Sequence, residues 1–292
     1  MTLTNVRDRS IVSSRDGLKT RRKRRRLPYV AGGLGALVAA VWFGLRIEPA
    51  PLPPPAVQPG TVDTVPLPGG LPAPVERFYR TLYGDRVPVI DSAVISGRAH
   101  MRVAGITFPA RFRFSHVTGQ DYRHYIELTA FGRTVTTVDE WFLDGTARLD
   151  LPVGVSEGPN VDQGANLALW AEAVWMPAVW VTDPQVRWEP VDDTSAELVV
   201  PFGDGEEVLT VTFDPDSGLL DRMDSMRFKG EDDPTKTRWI NEASEWTELG
   251  GWPTPLRTSV TWADEGGPWA ILHTDEVLLN GDLATYVEAS GP

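Results

Sequence analysis

Four histidines and no cysteine are what this 292-residue chain offers for metal binding and proton transfer beyond its carboxylates. His116 and His124 lie in neighbouring strand-like segments, with His100 not far upstream. Pairing of those strands could bring two imidazoles together, a start towards a zinc site. No further ligand follows at motif spacing, and lone strand histidines are usually satisfied by hydrogen bonds. The sequence therefore assigns no metal ligand and no cofactor. Among the carboxylates, Asp139 and Glu140 point to opposite faces of one strand, so one of them faces inward. Glu172 lies on an apolar helical segment and Asp162 at its start. A buried carboxylate has a raised pKa and can act as acid or base. The plainer readings are a favourable charge at a helix N-terminus for Asp162 and, for Glu172, a hydrogen bond or an ion pair to an inward arginine such as Arg113. No Gly-x-Ser-x-Gly elbow, phosphate loop or His-Glu-x-x-His motif is present. Asp214-x-Asp216-x-Gly218 lacks the remaining ligands of a calcium loop and reads as a hairpin turn. No residue is assigned catalysis, and a hydrolase built on a buried carboxylate ranks behind non-catalytic readings.

The aromatic residues point towards binding. There are eleven tryptophans. Trp170, Trp175 and Trp180 cluster around the helical segment with Met176 between them. A Trp-rich interior is either plain core or the lining of an apolar pocket with a few polar groups. The pocket candidates are Trp141, Asp162, Gln163, Trp170, Glu172, Trp175, Met176 and Trp180.

These residues need elements to hold them. Val75, Phe78, Tyr79 and Leu82 recur at helical spacing, and Gly84 ends that helix. The period then changes to two. In Ala110–Val117, Phe112, Phe114 and His116 face one way while Arg111, Arg113 and Ser115 face the other. Tyr122–Phe131, Thr134–Phe142, Val208–Phe213, Leu219–Phe228, Leu256–Trp262 and Trp269–Leu279 read as further strands, with turns such as Asp144-Gly145 between them. One helix interrupts the series. Asn160 is its expected N-cap, with Gln163 three residues on, and Pro177 stops it. Its apolar stripe, Leu167, Trp170, Ala171 and Val174, must be buried. The expected fold is mainly β: a curved antiparallel sheet or half-barrel of roughly ten strands, with the apolar helix inserted against its concave face, preceded by one transmembrane helix.

That last element is the most specific feature of the N-terminal region. Arg21 to Arg26 is an unbroken basic run, and Leu27 to Leu45 carries no charge. Roughly 20 apolar residues span a bilayer core, and the basic side remains cytoplasmic. The expected organisation is a basic cytoplasmic tail (1–26), a signal-anchor helix (27–47), a Pro-rich extracytoplasmic linker (48–74) and a β domain (75–290). The linker holds ten prolines, which favour an extended backbone. Residues 1–26 carry ten Lys/Arg and two Asp, a charge of +8, which leaves −20 of the total −12 to the remainder. Such an acidic domain argues against nucleic acid as a partner. The expected partners are the bilayer through 27–47, anionic headgroups through Arg21–Arg26, and a lipid or other apolar molecule.

Asp162-Gln163-Gly164, Leu169-Trp170-Ala171-Glu172-Ala173-Val174-Trp175-Met176-Pro177, Trp188-Glu189-Pro190-Val191-Asp192 and Trp252-Pro253 together resemble a group of uncharacterised bacterial domains, over about Val75 to Asn280. Their architecture is similar to the lipoprotein-carrier superfamily of LolA, LolB, LppX and LprG. That resemblance implies a curved sheet wrapping helices around a cavity for acyl chains. This chain departs from those carriers in having no cysteine to acylate. The expected function is a membrane-anchored domain that binds a lipid or other apolar ligand in a half-barrel; a structural or interaction module of the cell envelope is the alternative.

Overall fold

The structure, a computed structural model, describes residues 35–36, 38–151 and 154–283. The chain divides into two compact units, Met1–Gly44 and Leu45–Pro292. In the first, residues 35–36 and 38–44 are helical. Among the described residues no helix is long and apolar enough to cross a membrane. The basic tail 1–26, with Arg21–Arg26, lies outside the described residues, as does much of the expected span 27–47.

The second unit is built on one antiparallel sheet of thirteen strands, more than the ten expected. Short β1 (Thr64–Pro66) and β2 (Arg86–Pro88) pair only with each other, on either side of helix α1 (Ala73–Tyr83). The first half of the large sheet is a meander of β3 (Ser92–Val103), β4 (Ile106–Val117), β5 (Asp121–Ala130), β6 (Arg133–Leu143), β7 (Thr146–Leu151) and β8 (Gly154–Glu157). The second is β9 (Arg187–Pro190), β10 (Ser195–Phe202), β11 (Gly205–Phe213), β12 (Leu220–Arg227), β13 (Thr237–Leu249), β14 (Trp252–Trp262) and β15 (Ala270–Leu279). The last strand returns to pair with the first, β15 against β3, so both free edges lie at the middle of the chain. Helix α2 (Pro159–Glu172), a 3-10 turn (Ala173–Trp175) and short α3 (Val179–Thr182) make the crossing between those edges. Helix α2 touches β6, β7 and β8 of one half and β10, β11 and β12 of the other, so the sheet curves around it.

Local sequence accounts for these elements. Strand alternation puts Phe112, Phe114 and His116 on the inner face, as expected, with Arg111 and Arg113 on the outer. The β6–β7 hairpin closes through Asp144 and Gly145, at φ +49° and +77°, with Leu143 opposite Thr146. A two-residue turn of that kind needs positive φ at both positions, which Gly adopts freely and Asp tolerates. Asp214 caps the β11–β12 turn, its Oδ1 accepting from Ser217 N and Oγ, both at 2.7 Å. In α1, Val75, Phe78 and Tyr79 are fully buried. The ring of Phe78 packs on Phe213 and Trp246, and the Tyr79 hydroxyl donates to Pro177 O at 2.7 Å.

The expected capping box on α2 does not form. The helix starts two residues earlier, with Pro159 in its first turn and Gly158 as its N-cap. A proline there has no N–H to leave unpaired, which removes one of the orphan donors of the first turn. Asn160 instead donates to Glu231 O and Asp233 O at 2.9 and 3.0 Å, tying the helix start to the β12–β13 loop.

Residues 48–60 lie along the outer face of the sheet. Arg111 donates to Ala50 O at 3.1 Å and Arg113 to Pro53 O. The side chain of Leu52 is buried. Val57 packs with Val94, Val117 and Leu278, and Gly60 N donates to Leu279 O at 3.1 Å.

Candidate functional site

Three adjacent strands and the end of α2 converge on one cluster. His116 on β4, His124 on β5 and Glu140 on β6 all point inward, with His124 directly opposite Glu140 in the ladder. Glu172, the last residue of α2, reaches down between the histidines. Its Oε2 lies 2.7 Å from His124 Nε2 and 3.2 Å from His116 Nε2. The other imidazole nitrogen of His124, Nδ1, faces Glu140 Oε2 at 3.6 Å, and the Tyr122 hydroxyl donates to Glu140 Oε1 at 2.5 Å. The His124 ring lies between Phe114 and Tyr122, with centroids 3.9 and 4.1 Å away. Its plane is therefore fixed by packing as well as by carboxylates.

Glu172 thus departs from the expected pairing with Arg113. Alternation carries Arg113 to the outer face, where its Nε donates to Ser96 Oγ at 3.1 Å, while α2 lies on the inner. The same alternation separates Asp139, paired with Arg123 outside, from Glu140 inside.

Burial and charge act against each other in the cluster. Burial alone would depress the His124 pKa, but the charge of Glu172 and hydrogen bonds with Glu140 and Glu172 carry it above the ordinary value. Glu172 is the converse: burial would raise it, and the two histidines hold it well below the usual carboxylate range. Glu140 is lowered too; burial opposes the shift, and His124 and Tyr122 drive it. His116 is lowered, chiefly by burial, against the opposing hydrogen bond and charge of Glu172. It is fully enclosed, and neither ring nitrogen has a hydrogen bond of acceptable geometry. Such an orphan costs about 1–3 kcal/mol.

Beside the cluster lies a cavity of about 110 Å³ between the inner face of the sheet and the α2 end. Its walls are mostly apolar: Phe112, Phe114, Ala171, Trp175, Trp239 and Leu272 are among them. His124, Glu140, Glu172 and Arg227 supply polar groups. Partly exposed Met101, Val260 and Trp269 form the rim towards solvent. Arg227 lies with its guanidinium carbon 4.6 Å from the Trp239 ring centroid. A methyl group added at Gly164 would come within 2.8 Å of Arg227 Nε, so that glycine lets the helix pass directly over the arginine.

Of the eight pocket candidates drawn from the sequence, Glu172 and Trp175 line the cavity. Asp162 accepts from Ala147 N at 2.7 Å. Gln163 donates to Glu207 Oε1 and Met226 O, both at 3.0 Å, and accepts from Phe228 N. Both anchor the start of α2. The indole of Trp180 donates to Trp170 O at 2.9 Å; these two and Met176 are buried in the core. Trp141 stands on the outer face, under Arg148. Sequence reasoning missed Tyr122 and Arg227 as neighbours of the site. The available signals were the period-two register of Tyr122 with His124, and the glycine of Asp162-Gln163-Gly164.

A sheet curved around an apolar helix, with an acidic and imidazole cluster beside an apolar cavity, defines the class of domain. The chain belongs to DUF6544, a family of unknown function, which matches residues 61–274. No curated protein matches the chain. Solved structures similar to it include a LolA superfamily protein from Nitrosomonas europaea, 12% identical, with a TM-score of 0.43 over 76% of this chain and 99% of that one. A putative outer membrane lipoprotein-sorting protein domain from Vibrio parahaemolyticus is 10% identical, with a TM-score of 0.39 over 71% and 89%. A DUF1329 family protein from Desulfovibrio piger is 14% identical, with a TM-score of 0.39 over 66% and 87%.

Proposed function

We propose that this protein is a membrane-anchored extracytoplasmic domain that binds an apolar ligand between α2 and the inner face of its sheet. The cavity supports this reading most directly. It is lined by packed aromatic and aliphatic side chains, has polar groups beside it, and has a partly exposed rim. Its size limits the ligand. An engineered apolar cavity of about 150 Å³ holds benzene, and drug-sized ligands need about 300–1,000 Å³. A cavity of about 110 Å³ therefore takes a short apolar group or the end of an acyl chain. The remainder of the molecule leaves past Met101, Val260 and Trp269.

Native mass spectrometry of the full chain extracted from its host membrane tests the reading, together with binding of a fluorescent fatty acid. The expected result is a co-purifying apolar ligand and saturable probe binding that Ala171→Leu, which narrows the cavity, weakens at least tenfold while the circular dichroism spectrum is retained. No ligand and no saturable probe binding would refute it. Anchoring rests on the uncharged run that follows the basic residues. Because the chain has no cysteine, cysteines placed singly by Asn5→Cys and Asp204→Cys report topology. Only the second is expected to react with an impermeant reagent outside intact cells.

A further inference from the structure

We infer that His116, His124 and Glu172 form a binding site for a zinc-class divalent cation, with Glu140 holding His124 in its ligating orientation. Three observations carry this. The ligand atoms of the three side chains all lie within 4.8 Å of one another, and they are fixed by two adjacent strands and a helix end. His116 is fully buried and its ring nitrogens have no satisfactory hydrogen bond, yet Nε2 lies 3.2 Å from the carboxylate oxygen that its neighbour also approaches. His124 offers Nε2 to the shared centre and turns Nδ1 towards a carboxylate, itself hydrogen-bonded by Tyr122. That carboxylate–histidine arrangement is the usual support behind a ligating imidazole.

The distances suit a small ion. Ligands of a tetrahedral zinc with bonds of about 2.0–2.1 Å stand about 3.3 Å apart. The His116–Glu172 separation of 3.2 Å already matches. The His124–Glu172 separation of 2.7 Å needs to open by about half an ångström, as the proton between the two atoms gives way to the ion. Two imidazoles and one carboxylate favour zinc, iron or cobalt over calcium or magnesium, which take oxygen ligands. Three protein ligands leave a fourth position open. His124 and Glu172 both line the apolar cavity, so an oxygen of water or of a cavity ligand can take that position.

The test is equilibrium binding of Zn(II) to the purified full chain in detergent, with Co(II) as a spectroscopic substitute. The expected result is one zinc per chain and strong visible d–d bands of four-coordinate cobalt. Glu172→Gln and His116→Ala should lower zinc affinity at least about 100-fold. Glu140→Gln should lower it about 10- to 100-fold with the stoichiometry kept. No stoichiometric zinc in the wild-type chain, or unchanged affinity in folded Glu172→Gln, would overturn the inference. If the variants fail to fold, the wild-type cobalt spectrum decides, since an adventitious surface ion gives the weak bands of octahedral cobalt. The fluorescent fatty acid is measured in parallel. Probe binding without zinc removes the metal site and leaves the apolar-ligand reading standing; zinc without probe binding does the reverse.

Discussion

Glu127 shows how a single outer-face carboxylate stabilises the fold. It lies on β5, buried, and accepts from Arg111 Nε at 2.9 Å, from the Tyr125 hydroxyl at 2.8 Å and from Thr134 Oγ1. Burial pushes its pKa up, but the hydrogen bonds of Thr134, Arg111 and Tyr125 and the charge of Arg111 outweigh that and hold it below the ordinary value. A carboxylate lowered on folding contributes stability that is complete above its unfolded pKa of about 4.3 and is lost as pH falls through the folded pKa. Glu127→Gln should therefore cost about 1–3 kcal/mol at pH 7 and progressively less below about pH 4.3. Urea unfolding at pH 7 and at pH 3.5 checks this; an equal cost at both values would show that the charge contributes nothing. At this scale the sequence was informative about faces. The alternation of Phe112, Phe114 and His116, and the split between Asp139 and Glu140, follow from the period of two. It could not show that Glu172, 48 residues beyond His124, would come down between two histidines. That contact depends on where α2 crosses the sheet, which no local pattern encodes.

At the scale of elements, the placement of α2 decides the site. The helix and its proline stop were legible from the apolar stripe and Pro177. Seven of the strand runs were legible too, but β3, β7, β10 and β13 were not, and the edge strands β8 and β9 are only four residues long, too short to show alternation. The start of α2 was misread because a capping-box pattern is a local signal, whereas Asn160 is held by carbonyls some 70 residues away. Asp162-Gln163-Gly164 acquires a physical meaning as a set: Asp162 joins the helix to β7, Gln163 joins it to the end of β12, and Gly164 admits Arg227 beneath it. Gly164→Ala sets two effects against each other. Alanine favours the helix by about 1 kcal/mol, while a methyl group 2.8 Å from Arg227 Nε overpacks the site at a cost of about 1–3 kcal/mol. The clashing atoms are the end of a flexible side chain that can swing aside, so the two effects should nearly cancel, with stability by urea unfolding within about 1 kcal/mol of the wild type and a shifted tryptophan fluorescence as Arg227 is displaced from Trp239. A more stable variant with an unchanged spectrum would show that the close approach is not a constraint.

At the scale of the second unit, the sheet is completed by its most distant pairing. Strand β15 closes on β3 over nearly the whole length of the domain sequence, so the inner face and its cavity exist only once both meanders have formed. Long-range closure of this kind is slow, and whatever holds β3 and β4 in place should matter beyond its own contacts. Residues 48–60 are placed to do so. Arg111 and Arg113 on β4 donate to Ala50 O and Pro53 O. The Glu48 carboxylate lies 3.0 Å from His100 Nε2 on β3, and Gly60 N donates to the last residue of β15. The segment therefore spans the closing seam, although it precedes the family match that begins at residue 61. Its prolines suit that role, because an extended chain with few amide donors can lie on a sheet face and offer carbonyls to arginines. Burial of Leu52 contributes about 1.5–3 kcal/mol and each arginine hydrogen bond about 0.5–1.5 kcal/mol, less the entropy of ordering the segment. A chain starting at residue 61 should therefore be roughly 2–4 kcal/mol less stable than one starting at residue 45, and it should refold more slowly if the segment acts before the seam closes. Urea chevrons of the two chains separate these effects. Equal stability would mean that the segment lies on the sheet without supporting it. Loss of stability through faster unfolding alone would place its docking after β15 has paired with β3.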